Sequence, residues 1–91
     1  MADIKDEEIA PWILDKFVRN GWWRAKHTNF DNIPKGTPAH IRNKVKEIAE
    51  EINNEGFLVK KPTGYGLKIS LNYDKNEEIL SIIEKWKFKK E

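Results

Sequence analysis

The chain has 91 residues, of which 35% are charged and 38% hydrophobic, and its formal net charge is +2. This length allows one domain, and the composition is typical of a globular chain rather than a disordered one. The absence of cysteine excludes disulfides, thiolate metal sites and cysteine nucleophiles. No apolar run could cross a membrane, and the acidic N-terminal residues lack the apolar region of a signal peptide. We therefore expect a cytoplasmic location and no membrane partner.

The first periodic segment predicts a helix over about residues 10–20. Its apolar side chains recur every three to four residues, as one face of a helix requires, at Ile9, Trp12, Ile13 and Phe17. Pro11 is expected in the first turn, where its missing N–H costs nothing. Asn20-Gly21 is expected to end the helix, because both residues tolerate the left-handed conformation of a C-cap.

A short extended stretch is predicted over 22–26, followed by a short helix over about 28–34. The extended stretch contains two adjacent tryptophans, so one should face inward and the other outward. The outward one could stack on a base or cover a partner, but core or subunit-interface packing is favoured. Thr28 and Asp31 have the spacing of a reciprocal helix cap. The helix must end quickly, because Pro34-Lys35-Gly36 follows and predicts a tight turn.

A longer helix is predicted over 37–54. Thr37 is the expected N-cap, and Pro38 suits the first helical position. The apolar stripe of this segment is the most regular in the chain and comprises Ile41, Val45, Ile48, Ala49 and Ile52.

Residues 57–71 predict a β-hairpin, with Lys61-Pro62-Thr63-Gly64 as a type I turn. That turn would pair Lys61 with Tyr65, Val59 with Leu67 and Phe57 with Ile69. A final helix is predicted over about 75–88, where apolar residues again follow a helical period at Ile79, Ile82, Ile83 and Trp86.

The order of a short helix, a tight turn, a longer helix and a hairpin resembles the winged helix-turn-helix superfamily. The residues that carry the resemblance are 27–36, 37–56 and 57–72. The string KHTNFDNIPKGTPAH, together with PTGYG and SLN, is similar to small archaeal proteins of that class. The resemblance implies one α+β domain over 1–91, with a three-helix core, a β-hairpin wing and an added C-terminal helix. It also implies that helix 37–54 lies in the major groove of double-stranded DNA and that the wing follows the phosphate backbone, as in a transcriptional regulator.

The exposed face of helix 37–54 is polar and basic in its first half and acidic in its second. Asn43 lies opposite the apolar stripe and can pair with adenine as both donor and acceptor. The N–H groups at the start of the helix could hold a phosphate. The candidate DNA contacts in the turn, the helix and the wing are Lys35, Thr37, Ala39, His40, Arg42, Asn43, Lys44, Lys46, Lys60, Lys61, Tyr65 and Lys68.

Basic residues concentrate in two segments of the chain. Residues 21–46 carry six bases and one acid, and residues 57–72 carry three bases and no acid. If the two segments form one face, that face would attract an anionic polymer. The alternative is a set of separate solvated faces whose lysines protect an exposed strand edge.

Two other functions remain open at this stage: a winged-helix adaptor that binds protein, and an RNA-binding winged helix. Catalysis is not expected, because His27 and His40 are the only histidines and neither a glycine-rich phosphate loop nor a GxSxG motif occurs. No cofactor or metal is expected. A homodimer through the first and last helices is an expectation based on their apolar residues Ile9, Trp12, Ile79, Ile83 and Trp86.

Overall fold

The computed structural model describes residues 5–64 and 66–90, and in them three α-helices and an antiparallel three-stranded sheet form an α+β fold. The helices are α1 (Asp6–Arg19), α2 (Arg42–Asn54) and α3 (Asn76–Lys90). The strands are β1 (Thr28–Asn29), β2 (Leu58–Thr63) and β3 (Gly66–Leu71). Short 3₁₀ helices cover Phe30–Asn32, Ala39–Ile41 and Tyr73–Lys75. No helix in this part of the chain is long and apolar enough to cross a membrane.

The sheet has the order β1-β3-β2, and its inner face packs against the helices. Side chains alternate along a strand, so Leu58, Ile69 and Leu71 point inward and are buried. They join one apolar cluster with residues from all three helices, chiefly Ile9, Ile13, Phe17, Val45, Ala49, Ile52, Ile79 and Ile83. The outer face of the sheet is not covered by a helix and carries Val59 and Lys61.

Two glycines end α1 and α2 in the same way. Gly21 has φ of 67°, and the N–H of the following Trp22 donates to the carbonyl of Phe17 at 3.0 Å. Gly56 has φ of 91°, and the N–H of Phe57 donates to the carbonyl of Ile52 at 3.0 Å. Both are Schellman caps, which favour glycine because a side chain disfavours positive φ. The predicted stop of the first helix at Asn20-Gly21 is confirmed.

The predicted start of the first helix was wrong, because α1 begins at Asp6 rather than near Ala10. Pro11 lies in the second turn, where its missing N–H removes one helical hydrogen bond near the N-terminal end of α1. Three acids in the first turn favour the positive end of the helix dipole, and burial of Ile9 secures this turn against the core.

The predicted helix over 28–34 was also wrong. Thr28 and Asn29 pair with Ile69 and Lys68 of β3, and only a 3₁₀ turn follows at Phe30–Asn32. The Thr28 hydroxyl does not cap a helix but accepts a hydrogen bond from the Asn32 side chain at 2.9 Å. The extended conformation expected for 22–26 is limited to a bridge between Trp23 and Leu71, and Arg24 then turns the chain.

The hairpin over 57–71 is confirmed, but its predicted register was wrong by three residues. The observed pairs include Leu58 with Leu71, Lys61 with Lys68, and Thr63 with Gly66. Pro62 therefore lies in β2 opposite Leu67 rather than at the turn. β2 is an edge strand of the described sheet, where a missing N–H is tolerated.

The other two predicted helices formed with changed starts. The segment 37–54 contains the 3₁₀ turn and then α2, which begins at Arg42. Thr37 does not cap it, because its hydroxyl donates to the carbonyl of Pro34. The segment 75–88 corresponds to α3, which begins one residue later and extends to Lys90.

Candidate nucleic-acid interface

The first half of α2 presents a polar, basic surface to solvent. Val45 and Ala49 face the core, so the helical period places Arg42, Asn43 and Lys46 on exposed positions. Within residues 5–64 and 66–90, none of these three side chains has an ion-pair partner. Two cations and an amide therefore stand together, and this combination can contact phosphates and read a base edge.

Lys44 does not belong to this surface. Its ammonium nitrogen lies 4.0 Å from a carboxylate oxygen of Asp6, at the start of α1, and 3.8 Å from one of Glu47. The side chain is thus turned towards α1 and its charge is balanced by two acids. Lys44 is therefore less available to a phosphate than Arg42 or Lys46.

The second half of α2 binds the hairpin. Glu50 forms an ion pair with Lys60 of β2, and the Lys60 ammonium also lies 5.2 Å from the centre of the Phe30 ring. Lys60 is half-buried on the inner face of the hairpin, between α2 and the 3₁₀ turn after β1. Glu50, in the acidic second half of the helix, therefore joins α2 to the hairpin and neutralises one of the three hairpin lysines.

The two other hairpin lysines face each other across the strands. Lys61 and Lys68 are Cα partners, and by alternation both occupy the outer face, opposite to Lys60. Lys68 donates to the side-chain oxygen of Asn29 at 2.6 Å, which is a neutral partner, while Lys61 is exposed. Neither contact compensates the charge, so this pair presents positive charge two residue pairs from the last pair of the hairpin, Thr63 with Gly66. Like charges directly opposite each other destabilise a hairpin, so the arrangement is not explained by folding.

The turn before α2 is held by a lysine that the sequence did not single out. The Lys16 ammonium donates to the main-chain carbonyls of Asn32, Ile33 and Lys35 at 3.0, 3.2 and 2.8 Å. Burial lowers the pKa of Lys16 below its ordinary value of 10.5, and the positive charges of Arg19 and Lys35 act in the same direction. Lys16 therefore connects α1 to the turn that leads into α2, while the side chain of Lys35 remains exposed.

The remaining candidate contacts divide by exposure. Ala39 and His40 are exposed in the 3₁₀ turn before α2, whereas Thr37 is buried and cannot offer its hydroxyl to DNA. Because α2 begins at Arg42, the expected phosphate site on helix N–H groups at 37–39 was misplaced. Tyr65 lies outside the described residues. Of the eleven candidates that the structure describes, only Thr37 is buried. Lys44 and Lys60 are partly exposed and paired with acids. The other eight, exposed or partly exposed, are Lys35, Ala39, His40, Arg42, Asn43, Lys46, Lys61 and Lys68.

Sequence reasoning missed an aromatic cluster beside the hairpin. The guanidinium carbon of Arg24 lies 3.8 Å from the centre of the Tyr73 ring, and Trp23 meets the same ring edge-on at 5.7 Å. The expected outward tryptophan is not found, because Trp22 and Trp23 are both half-buried and pack against the core, with Trp22 meeting the Phe17 ring at 5.1 Å. The Trp-Trp-Arg sequence was the available signal, but Tyr73 is distant in sequence and its role depends on the fold.

The apolar stripes of the first and last helices largely pack against each other. Ile9, Ile79 and Ile83 are buried within the single chain, while Trp12 and Trp86 are half-buried. The indole nitrogen of Trp86 donates to Glu8 at 3.0 Å. Less apolar surface is therefore left for a second copy than the stripes alone suggest.

Comparisons with known proteins give no match: no family model, no curated protein and no solved structure is similar to this chain. Among the described residues, no three His, Cys, Asp or Glu side chains are grouped to hold a metal ion. The functional assignment therefore depends on the geometry of the surface itself.

Proposed function

We propose that this chain is a winged-helix protein that binds double-stranded DNA, with α2 in the major groove and the β2–β3 hairpin as the wing. The observation that carries the proposal is the exposed group of Arg42, Asn43 and Lys46 at the start of α2. A groove-bound helix reads base edges with its N-terminal residues. The polar half of α2 is the half that such a mode would insert.

The order of elements supports the proposal. The chain runs α1, β1, a turn, α2, β2 and β3, and the sheet order is β1-β3-β2. The described residues contain three α-helices in all, so the expected helix-turn-helix unit, with a three-helix core and a fourth helix added, does not form. In place of its first helix, 3₁₀ turns lie on either side of Pro34 and Gly36, and Lys16 of α1 binds the carbonyl of Lys35 between them. α2 is consequently positioned by hydrogen bonds and by its buried stripe rather than by a preceding helix.

The number of basic side chains without an acidic partner predicts how strongly duplex binding depends on salt. Five basic side chains of the turn, α2 and the hairpin remain available for phosphates: Lys35, Arg42, Lys46, Lys61 and Lys68. Each phosphate contact on B-DNA contributes about −0.9 to the slope of log K against log salt, so five contacts give a slope of about −4.5.

Fluorescence anisotropy of a labelled duplex, titrated with the protein at several salt concentrations, tests the proposal. We expect binding at low salt that weakens with a slope near the value above. The absence of binding at low salt, or an affinity independent of salt, would contradict the proposal and favour the protein-binding adaptor.

A further inference from the structure

The backbone of Arg24 adopts a conformation that arginine rarely occupies. Its φ is 52°, and it is the only described non-glycine residue with positive φ. Such a conformation costs about 1 kcal/mol or more for a residue with a side chain. In this conformation the guanidinium group stacks on Tyr73 at 3.8 Å, and no carboxylate pairs with it in the described part of the chain. The strained backbone therefore belongs to an arginine, Arg24, whose charge is not used in an ion pair within the described residues.

A shallow groove of about 370 Å³ adjoins this stack on the outer side of the sheet. Its lining residues that bear on binding are Arg24, Val59, Lys61, Tyr73 and Asp74. Val59 is 38% exposed and Tyr73 46% exposed, so the groove offers apolar and aromatic surface beside two cations. The carboxylate of Asp74 is the one acid of the lining, and Lys68 adds a third cation next to Lys61.

This combination is suited to one chemical class of ligand. A strand of unpaired nucleotides offers planar bases for stacking on an aromatic or guanidinium plane, and phosphates for lysine. In a duplex the base faces are already stacked on each other, so the Arg24–Tyr73 stack cannot use them. The charge and the exposed planes therefore favour a single strand over a duplex at this position.

We propose that the groove binds single-stranded nucleic acid, with a base stacked on Arg24 beside Tyr73 and with adjacent phosphates at Lys61 and Lys68. The groove opens on the outer face of the sheet, whereas α2 packs with Leu58 and Lys60 on the inner face. The stacking position at Arg24 therefore lies apart from α2, whereas Lys61 and Lys68 belong to both proposals, so variants at Arg24 and on α2 test the two sites separately.

Labelled dT12 and rU12 strands, titrated with the protein and followed by anisotropy at one low salt concentration, test the proposal. Arg24→Gly is the principal variant, because glycine accepts φ of 52° without strain and the fold should be retained. We expect Arg24→Gly to weaken binding of either strand about tenfold and to leave duplex binding within twofold. Arg24→Lys keeps the charge but loses the planar group, so it should lose most of the same affinity.

Arg42→Ala on α2 is the matched control, since it removes the same charge from the other surface. It should leave strand binding within twofold.

Tryptophan emission gives a second readout, because a base bound beside Trp23 should quench it and Trp23→Phe should reduce that quenching. Binding of dT12 and of rU12 would both support the site, and a preference for rU12 would add a contact to the 2′-hydroxyl.

Three outcomes would overturn the proposal. They are the absence of strand binding, unchanged strand binding by Arg24→Gly and Arg24→Lys, and equal weakening by Arg24→Gly and Arg42→Ala. If Arg24→Gly fails to fold, Arg24→Lys gives the same decision. A protein that fails here but still binds duplex with the expected salt dependence would retain the function proposed for α2.

Discussion

Two surfaces of this molecule carry similar charged residues but use them differently. Between α1 and α3, Asp15 is almost buried and accepts from Arg19 at 2.9 Å and from Lys87 at 3.2 Å. On the first half of α2 and the outer hairpin, Arg42 and Lys61 are exposed and have no carboxylate partner among the described residues. The first surface uses its charges to join two helices, and the second leaves them available to a ligand.

The difference separates charges that join elements of the fold from charges that remain accessible at the surface. A carboxylate with little solvent and two cationic donors must keep those donors, because an unpaired buried charge is costly. An exposed lysine contributes little to folding, so its position can be determined by binding. Substitutions on the two surfaces should therefore have opposite consequences for stability and for binding.

The largest effect on stability is expected from Asp15→Asn. The substitution keeps the shape but removes the charge that Arg19 and Lys87 share, and hydrogen bonds to charged groups contribute about 1.5–3 kcal/mol. Chemical denaturation should show a loss of this size. Asp74→Asn removes the same charge from an exposed position and should change the free energy of unfolding by less than about 0.5 kcal/mol. Equal effects of the two substitutions would contradict the distinction between the surfaces.

Asn43→Ala should give the reverse result on the other surface. Asn43 is exposed on α2, so the free energy of unfolding should change by less than about 0.5 kcal/mol. If Asn43 reads a base, specific duplex binding should weaken by about 1–3 kcal/mol and the sequence preference should relax at one position. A selection of preferred duplexes with both proteins would measure this, and an unchanged preference would exclude Asn43 from base reading.

The two adjacent hairpin lysines give a finer comparison. Lys61→Ala removes an available cation, so duplex binding should weaken on all sequences and the salt slope should become shallower by about one unit. Lys60→Ala removes a cation that Glu50 already neutralises, so the slope should change much less. Anisotropy at several salt concentrations distinguishes these outcomes, and a larger change for Lys60→Ala would contradict the assigned faces of β2.

The smallest effect concerns pH. Burial lowers the pKa of Lys16, so the unfolded chain binds this proton more tightly than the folded chain. The free energy of unfolding should therefore rise with pH between the lowered pKa and 10.5. Lys16→Met should lose that part of the rise and should also be less stable at neutral pH, because three carbonyls lose their donor. If the free energy of unfolding of the original chain and of Lys16→Met depends on pH in the same way, the rise belongs to other groups.

The parts of the fold that could be predicted are those with local signals. The stripe from Ile41 to Ile52 and the glycine caps specify α2 and its end, and Ile79 to Trp86 specify α3. β1 could not be predicted, because Thr28 and Asn29 become a strand only by pairing with β3 some 40 residues later. A pairing across that distance outweighs a weak local helix signal.

The hairpin register shows why site prediction was only partly successful. Proline is favoured at the second position of a type I turn, and that preference placed the turn at Pro62. An edge strand accepts proline equally well, and burial of Leu71 opposite Leu58 sets a register three residues away. The register determines which lysines share a face, so the pairing of Lys61 with Lys68 required the structure. The neutralisation of Lys60 and Lys44 by acids on α1 and α2 also depends on tertiary contacts.

The central claim is that the exposed cations at the start of α2 contact duplex DNA, and two double variants of equal charge test it most directly. Arg42→Ala with Lys46→Ala removes two charges from α2, and Lys85→Ala with Lys89→Ala removes two exposed charges from α3. The measurement is the slope of log K against log salt for one duplex. The account predicts that the α2 variant makes the slope shallower by about two units and that the α3 variant leaves it unchanged. Equal slopes for the two variants would contradict it.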